Sequence, residues 1–320
     1  MCELKLLFPT HLRESLEGEK WLFGLEEIRV RVGQPMEFSY GGSSRYFVKS
    51  GDNYRFCEEA DYIKYEDSFY RATELDLRQM LNFISNYSLY AYKDEIRQGY
   101  ITIEGGHRIG VAGQTTVLDG KIIGISPITF LNIRVAHEKK GCAKKVIPFL
   151  RQKDSIYNTL ILSVPGAGKT TLLRDAIRIL SNGEVLGNRL KVCVVDERSE
   201  IAASYHGVPQ NDLGPRTDVL DGCNKADGMQ MLLRAMSPQI IAVDELGAEA
   251  DFFAVEQALS CGSKVLGTIH AADMKELSQK PYLKRWMGKK LFQRFICIEK
   301  QKDGLRRIQV YDEHMERISV

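Results

Sequence analysis

The sequence predicts an open α/β sheet domain in its second half, preceded by a smaller α+β domain, and three observations carry that expectation. Asn158 to Leu180 reads as a buried strand, a glycine-bearing turn and a helix in direct succession, with Leu172, Leu173, Ala176, Ile177 and Leu180 recurring at helical spacing on one face. Three further apolar runs, Lys191 to Val195, Ile240 to Val243 and Lys264 to Ile269, end in Asp196-Glu197-Arg198, Asp244-Glu245 and His270. Polar groups at the carboxyl ends of strands face the ligand side of an open α/β sheet. The first half instead alternates short strand signals with turn residues around a single amphipathic helix.

In the first half, Glu27 to Val32 alternates cleanly and stops at Gly33-Gln34-Pro35, and Met36 to Tyr40 with Arg45 to Lys49 flanks a Gly41-Gly42-Ser43-Ser44 turn as a hairpin would. Thr73 with Asp76 marks a helix start, and Leu77, Met80, Leu81 and Ile84 extend that helix to about Tyr92. Four strands are expected after it, Gly99 to Glu104, His107 to Thr115, Lys121 to Ile125 and Ile128 to Val135, the last two parted by Ser126-Pro127. Glu138 to Lys153 reads as a linking helix, which puts the domain boundary near Arg151, with 1–150 and 151–320 as the two domains. Gly214 to Asp218 is expected to be a loop, Met229 to Met236 and Asp251 to Cys261 helices, and Phe295 to Lys300 with Leu305 to Tyr311 a hairpin turning at Lys302-Asp303-Gly304.

At 320 residues the chain is long enough for two domains with proper cores, and 44% hydrophobic with 27% charged residues is a globular composition. A net charge of +2 offers no global attraction to nucleic acid, which is not expected as a partner. Seven scattered cysteines without a C-x-x-C pair point to a reduced, cytoplasmic protein without a disulfide framework or zinc site. No apolar run approaches the ~18 residues of a membrane span, so membrane association is expected to be peripheral.

The chemistry sits in Ser163-Val164-Pro165-Gly166-Ala167-Gly168-Lys169-Thr170-Thr171. A turn at a helix N-terminus offers unpaired N–H groups and the positive end of the helix dipole to phosphate oxygens, and Gly166 and Gly168 let the backbone approach closely. Lys169 is expected to reach the β and γ phosphates of ATP, and the Thr170 hydroxyl to hold Mg2+. The pattern G-x4-G-K-[ST] wants glycine where Ser163 stands, so a strict search fails at that position. Downstream, four apolar residues followed by two acids supply the other half of an ATPase site: Asp244 for the Mg2+ shell, Glu245 to orient and polarise the attacking water. His270 either senses the γ-phosphate or caps its own loop.

Read in order, LEEIRVRVGQP, GGHRIGVAGQ, LNIRVAHE, KTTLLRD, VVDERSEIA, GPRTDVLDGC, LLRAMSP, VDELG and GTIHA resemble the stage III sporulation protein AA family of endospore-forming bacteria, itself similar to the ring-forming ATPases of type II and type IV secretion and pilus systems. The resemblance runs from about Leu25 to Ile298. It implies an N-terminal domain ahead of a RecA-like P-loop ATPase domain, a hexameric homo-oligomer, and hydrolysis that powers a channel between mother cell and forespore. Membrane-embedded channel subunits would then be its partners. By the same resemblance Glu197 matches an acidic box that helps hold metal or water, and His270 matches a histidine box. Arg134 matches an N-domain arginine that reaches the phosphates, and Arg234 one near the subunit boundary, with ordinary salt bridges as the alternative for both.

Lys275, Lys280, Lys284, Arg285, Lys289, Lys290 and Arg294, with Tyr282 and Trp286 among them, form the most basic stretch. It reads either as a solvated surface or as a dock for an anionic membrane surface, an acidic partner or nucleic acid. Two other function classes use the same core: a nucleic-acid-dependent ATPase, and a nucleotide-binding scaffold that assembles without hydrolysis.

Overall fold

The central strands of the second half are buried along nearly their whole length because helices cover both faces of the sheet they build. In the computed structural model, which describes residues 4–16, 18, 20–51, 53–184, 187–280, 283, 286, 288–300 and 306–318, that sheet has eight strands. Their order is Thr217–Asp221, Val192–Asp196, Ile240–Val243, Lys264–His270, Thr159–Ser163, Arg294–Lys300, Arg306–Tyr311 and Arg317–Ile318. The first six run parallel and the last two pair antiparallel. Side chains alternate between faces along each strand. Ile161, Val194, Ala242, Leu266 and Ile296 accordingly pack on Leu172, Leu173, Ile177 and Leu180 of the helix Lys169–Asn182. Their neighbours Leu160, Leu162, Val195, Ile241 and Val243 pack on Met229 and Leu232 of the helix Lys225–Met236 and on Phe252 and Val255 of the helix Glu249–Ser260. The turn at Lys302-Asp303-Gly304 lies outside the described residues. The loop expected over Gly214 to Asp218 ends inside an edge strand, Thr217–Asp221, which is half-buried throughout.

The chain forms two compact units, Met1–His137 and Glu138–Val320. The expected linking helix from Glu138 to Lys153 is a series of turns ending in one helical turn, Ile147–Leu150. Gly141 is left-handed at φ 86°, and Pro148, which lacks an N–H and would clash with the carbonyl four residues before it, is tolerated only in a first helical turn, so no longer helix can pass. Ala143, Val146, Ile147 and Leu150 are fully buried in the second unit's core, and the Ala143 N–H donates to the Asp175 carboxylate at 2.7 Å. Arg151 therefore lies within the second unit.

The first unit is an antiparallel sheet in the order Asn53–Glu58, Ser43–Ser50, Glu37–Tyr40, Glu27–Arg31, Lys121–Arg134, Arg108–Leu118 and Tyr100–Thr102. Thr73 and Asp76 close a capping box on the helix Glu74–Ile84. That helix stops short of Tyr92 because Asn86 and Tyr87 turn left-handed, at φ 47° and 62°. The strands expected on either side of Ser126-Pro127 are one strand, Lys121–Arg134, crossing its partner with register shifts around Gly113. A Cβ at Gly113 would meet the Pro127 carbonyl oxygen at 2.1 Å, so only glycine permits that approach.

His107, 8% exposed, accepts the Ala136 N–H at Nδ1 over 3.0 Å. Burial, helped by the nearby His137, lowers its pKa from 6.5 to about 4. The unfolded chain thus binds the extra proton first, so this stabilisation is complete above pH 6.5 and drains as pH falls towards 4. Hydrogen exchange in the first unit is expected to report a loss of about 2 kcal/mol between pH 7 and pH 5, absent in His107→Gln, which keeps an acceptor but cannot titrate.

Candidate active site

Three neighbouring strands deliver the site. Thr159–Ser163 leads into the loop, Ile240–Val243 into Asp244-Glu245, and Lys264–His270 lies between them, in register with Ser163 opposite His270. The loop residues Val164, Pro165 and Gly166 are exposed, Ala167 is buried, and Gly168 caps the helix at φ 103°. Space around a Cβ at Gly166 is open, whereas a Cβ at Gly168 would sit 2.8 Å from the Arg306 guanidinium.

Lys169 is 5% exposed, and its ammonium donates to the Ser163 carbonyl at 3.3 Å and to His270 Nδ1 at 3.0 Å. Two of its three donors are thereby used. Burial pulls the Lys169 pKa below the usual lysine range, against the opposing pull of Asp244, Glu245 and Glu200. The other ring nitrogen of His270, Nε2, donates to Glu245 Oε1 at 2.8 Å. A single neutral tautomer, with the proton on Nε2, satisfies both contacts. Burial raises the Glu245 carboxyl, but the His270 hydrogen bond and the charges of Arg198 and Lys169 outweigh it and hold the group below the usual range.

Thr170 Oγ1 donates to Asp244 Oδ2 at 2.7 Å, bringing a hydroxyl and a carboxylate together as oxygen ligands for a hard cation. Thr268, fully buried, ties the acids in place. Its hydroxyl accepts the Glu245 N–H at 2.8 Å and donates to Asp244 Oδ1, while its carbonyl takes the Leu246 N–H at 2.8 Å. Leu246 packs so closely on Gly267 that a Cβ there would meet its Cδ1 at 2.7 Å. Held by these contacts, Glu245 adopts left-handed backbone, φ 53°, which a non-glycine residue occupies only when its surroundings insist.

Of the acids after Val192–Asp196, Asp196 does not face a ligand. It is 1% exposed and accepts the N–H groups of Glu200, Ile201 and Ala202 at 2.9, 3.0 and 2.7 Å, shaping the loop that follows. Burial raises its pKa to about 6 despite those three donors. Arg174 of the loop-bound helix fastens the same segment, donating to the Ile201 and Glu200 carbonyls. Glu197 is exposed, pairs with Lys225, and shares with Glu245 a cavity of about 430 Å3 that also takes in Asn224, Asp227 and Asp251. Thr171 is half-buried, its carbonyl accepting the Cys142 thiol at 3.6 Å.

Arg234 is not part of this cluster. It is exposed on Lys225–Met236 and lines a separate cavity with Leu233, Phe253, Glu256 and Cys261. Arg134, in the first unit, is 69% exposed with Glu27 at 3.9 Å. Three cations of the basic stretch have internal partners: Lys280 the His270 carbonyl, Lys289 the Glu256 carboxylate, and Arg294 the Phe149 carbonyl at 3.0 Å and the Tyr157 ring at 3.8 Å. Trp286 is buried against Phe252. Tyr282, Lys284 and Arg285 lie outside the described residues. Reading the sequence missed Thr268, Arg198 and Lys225. Thr268 alone left a signal, standing two residues before His270 and so on the same strand face.

The fold and the loop define a RecA-like P-loop α/β domain preceded by an α+β domain. The chain belongs to the family described as Sporulation stage III, protein AA, whose profile matches residues 3–318. It is 36% identical over 316 residues to Stage III sporulation protein AA of Bacillus subtilis (strain 168), covering 98% of this chain and 95% of that protein. In fold it is similar to the ATPase DotB of Yersinia pseudotuberculosis, with a TM-score of 0.58 and 13% identity over 96% of this chain and 80% of that one. It is likewise similar to the pilus retraction motor PilT, solved with ADP, at a TM-score of 0.57 and 13% identity over 93% and 80%. No helix among the described residues is long and apolar enough to cross a membrane.

Two substitutions test the geometry. Gly168→Ala forces a side chain into left-handed backbone and is expected to lower the stability of the second unit by about 1–2 kcal/mol in thermal unfolding, with an unchanged circular dichroism spectrum. Thr268→Val keeps the shape but strips the hydroxyl from two buried polar partners. Thermal unfolding of the second unit should show a loss of about 1–3 kcal/mol, and an unshifted transition would mean that water replaces the hydroxyl.

Proposed function

We propose that the chain is a Mg2+-dependent ATP hydrolase that works as the ring-forming motor of a secretion-like channel complex between mother cell and forespore. The observation that carries the hydrolase reading is the continuous run of contacts Lys169–His270–Glu245 beside Thr170–Asp244. Cradle, sensor and acid form one connected set.

In this reading the loop N–H groups and Lys169 grip the β and γ phosphates, with Lys169 exchanging His270 for a phosphate oxygen. Thr170 and Asp244 hold Mg2+, which when bound neutralises charge building between the β and γ oxygens. Glu245 accepts a hydrogen bond from the attacking water and orients it in line with the γ-phosphorus. His270, released by Lys169, reports on the γ-phosphate through its contact to Glu245. Glu197 would steady water or metal at the cavity it shares with Glu245. The phosphate-directed roles of Arg134 and Arg234 rest on the family, and both guanidiniums are exposed in the single chain. A hexamer acting from the mother-cell cytoplasm on membrane-embedded channel subunits completes the proposal.

Phosphate release with Mg2+ and ATP tests it. Lys169→Ala is expected to lose nucleotide binding, and Glu245→Gln to keep binding while kcat falls about 10^2-fold or more. Native protein that bound ATP in full yet released no phosphate, alone or as an assembled ring, would leave a scaffold instead of a motor.

A further inference from the structure

Arg198 has no part in the hydrolase reading, yet it touches the acid at its centre. From the loop that follows Val192–Asp196, its Nη1 donates to Glu245 Oε2 at 3.1 Å. The other carboxylate oxygen, Oε1, is the one that accepts from His270. Each oxygen of Glu245 therefore has a partner supplied by the protein. The pattern is repeated next door, where Lys225 pairs with Glu197. Both cations line one small cleft with Asp196, Glu200 and Asp244. The Arg198 side chain is 64% exposed and that of Glu245 28%. Exposed ion pairs of this kind are weak and readily exchanged.

We infer that Arg198 is a positioning residue that holds the Glu245 carboxylate in a resting arrangement until nucleotide arrives, and that its release is what frees the acid to engage water. The inference rests on the hydrolase reading. A carboxylate already accepting from a guanidinium and an imidazole has less charge and fewer lone pairs for the hydrogens of water. ATP loosens both holds at once. Its phosphates draw Lys169 from His270, which loosens the imidazole, and their negative charge competes with Glu245 for Arg198.

The test joins kinetics to a measurement that needs no turnover. Arg198→Ala is expected to raise kcat for Mg2+-ATP about two- to fivefold, the worth of an exposed pair. Arg198→Lys, which restores a cation, should bring the rate back down. In nucleotide-free protein, amide exchange at Glu245 and Leu246 should be several-fold faster in Arg198→Ala and native in Arg198→Lys. A lower kcat in Arg198→Ala would make Arg198 part of the reacting assembly and overturn the resting hold, as would native exchange at both amides. If the native chain releases no phosphate, the hydrolase reading fails on its own, and the exchange rates still decide whether Arg198 restrains Glu245.

Discussion

The site depends on one strand being inserted between two others. Lys264–His270 separates the strand that feeds the loop from the strand that ends in Asp244-Glu245. Adjacent strands lie about 4.8 Å apart, so the loop lysine and the acid are kept roughly two strand spacings from each other. That gap is too wide for a direct contact between short groups and is filled by a histidine ring, whose two nitrogens reach Lys169 and Glu245 at 3.0 and 2.8 Å. Had the two strands been neighbours, Lys169 and Glu245 would meet as an ion pair and neither would be available to phosphate or water. The interposed strand prevents that neutralisation.

Such an arrangement gathers buried and half-buried charge, which is costly unless each group is satisfied. The structure meets the cost with backbone groups and hydroxyls in preference to extra charges. Asp196 is supported by three N–H groups, and Asp244 by the hydroxyls of Thr170 and Thr268 and the Glu245 N–H. Neutral donors fix a carboxylate's direction without cancelling its charge. Cations are used at Glu197 and Glu245, where Lys225 is half-buried and Arg198, at 64% exposure, stands in water and can be displaced.

What could be read from the amino-acid order follows the same division. The loop, the acids and His270 were legible because each is written in a few consecutive residues at the end of an apolar run. Contacts that join distant segments were not. Nothing near Arg198 says that it reaches Glu245, and nothing near Thr268 says that its hydroxyl bridges two acids. Local errors had local causes. The helix from Glu74 ran past its end on paper because nothing in the composition of Ser85-Asn86-Tyr87-Ser88 forbids helix, whereas left-handed Asn86 and Tyr87 break it. Glu138 to Lys153 had helical spacing, but Gly141 and Pro148 outweigh spacing, and its apolar residues serve the core from turns. Pro127 was taken for a break, and the strand continues because Gly113 opposite leaves room for its carbonyl.

Ser163 shows which part of the phosphate-loop pattern is physical necessity. A glycine is required where the backbone is left-handed or where another atom comes too near for a Cβ. Gly166 and Gly168 meet the first condition, at φ 73° and 103°. Ser163 meets neither. It is the last residue of a fully buried strand, outside the left-handed region, with its hydroxyl satisfied by the Val164 carbonyl at 2.8 Å. Its own carbonyl is the part the site uses, as an acceptor for Lys169. A main-chain acceptor is indifferent to the side chain above it, so any small residue that can be buried and satisfied will serve at that position.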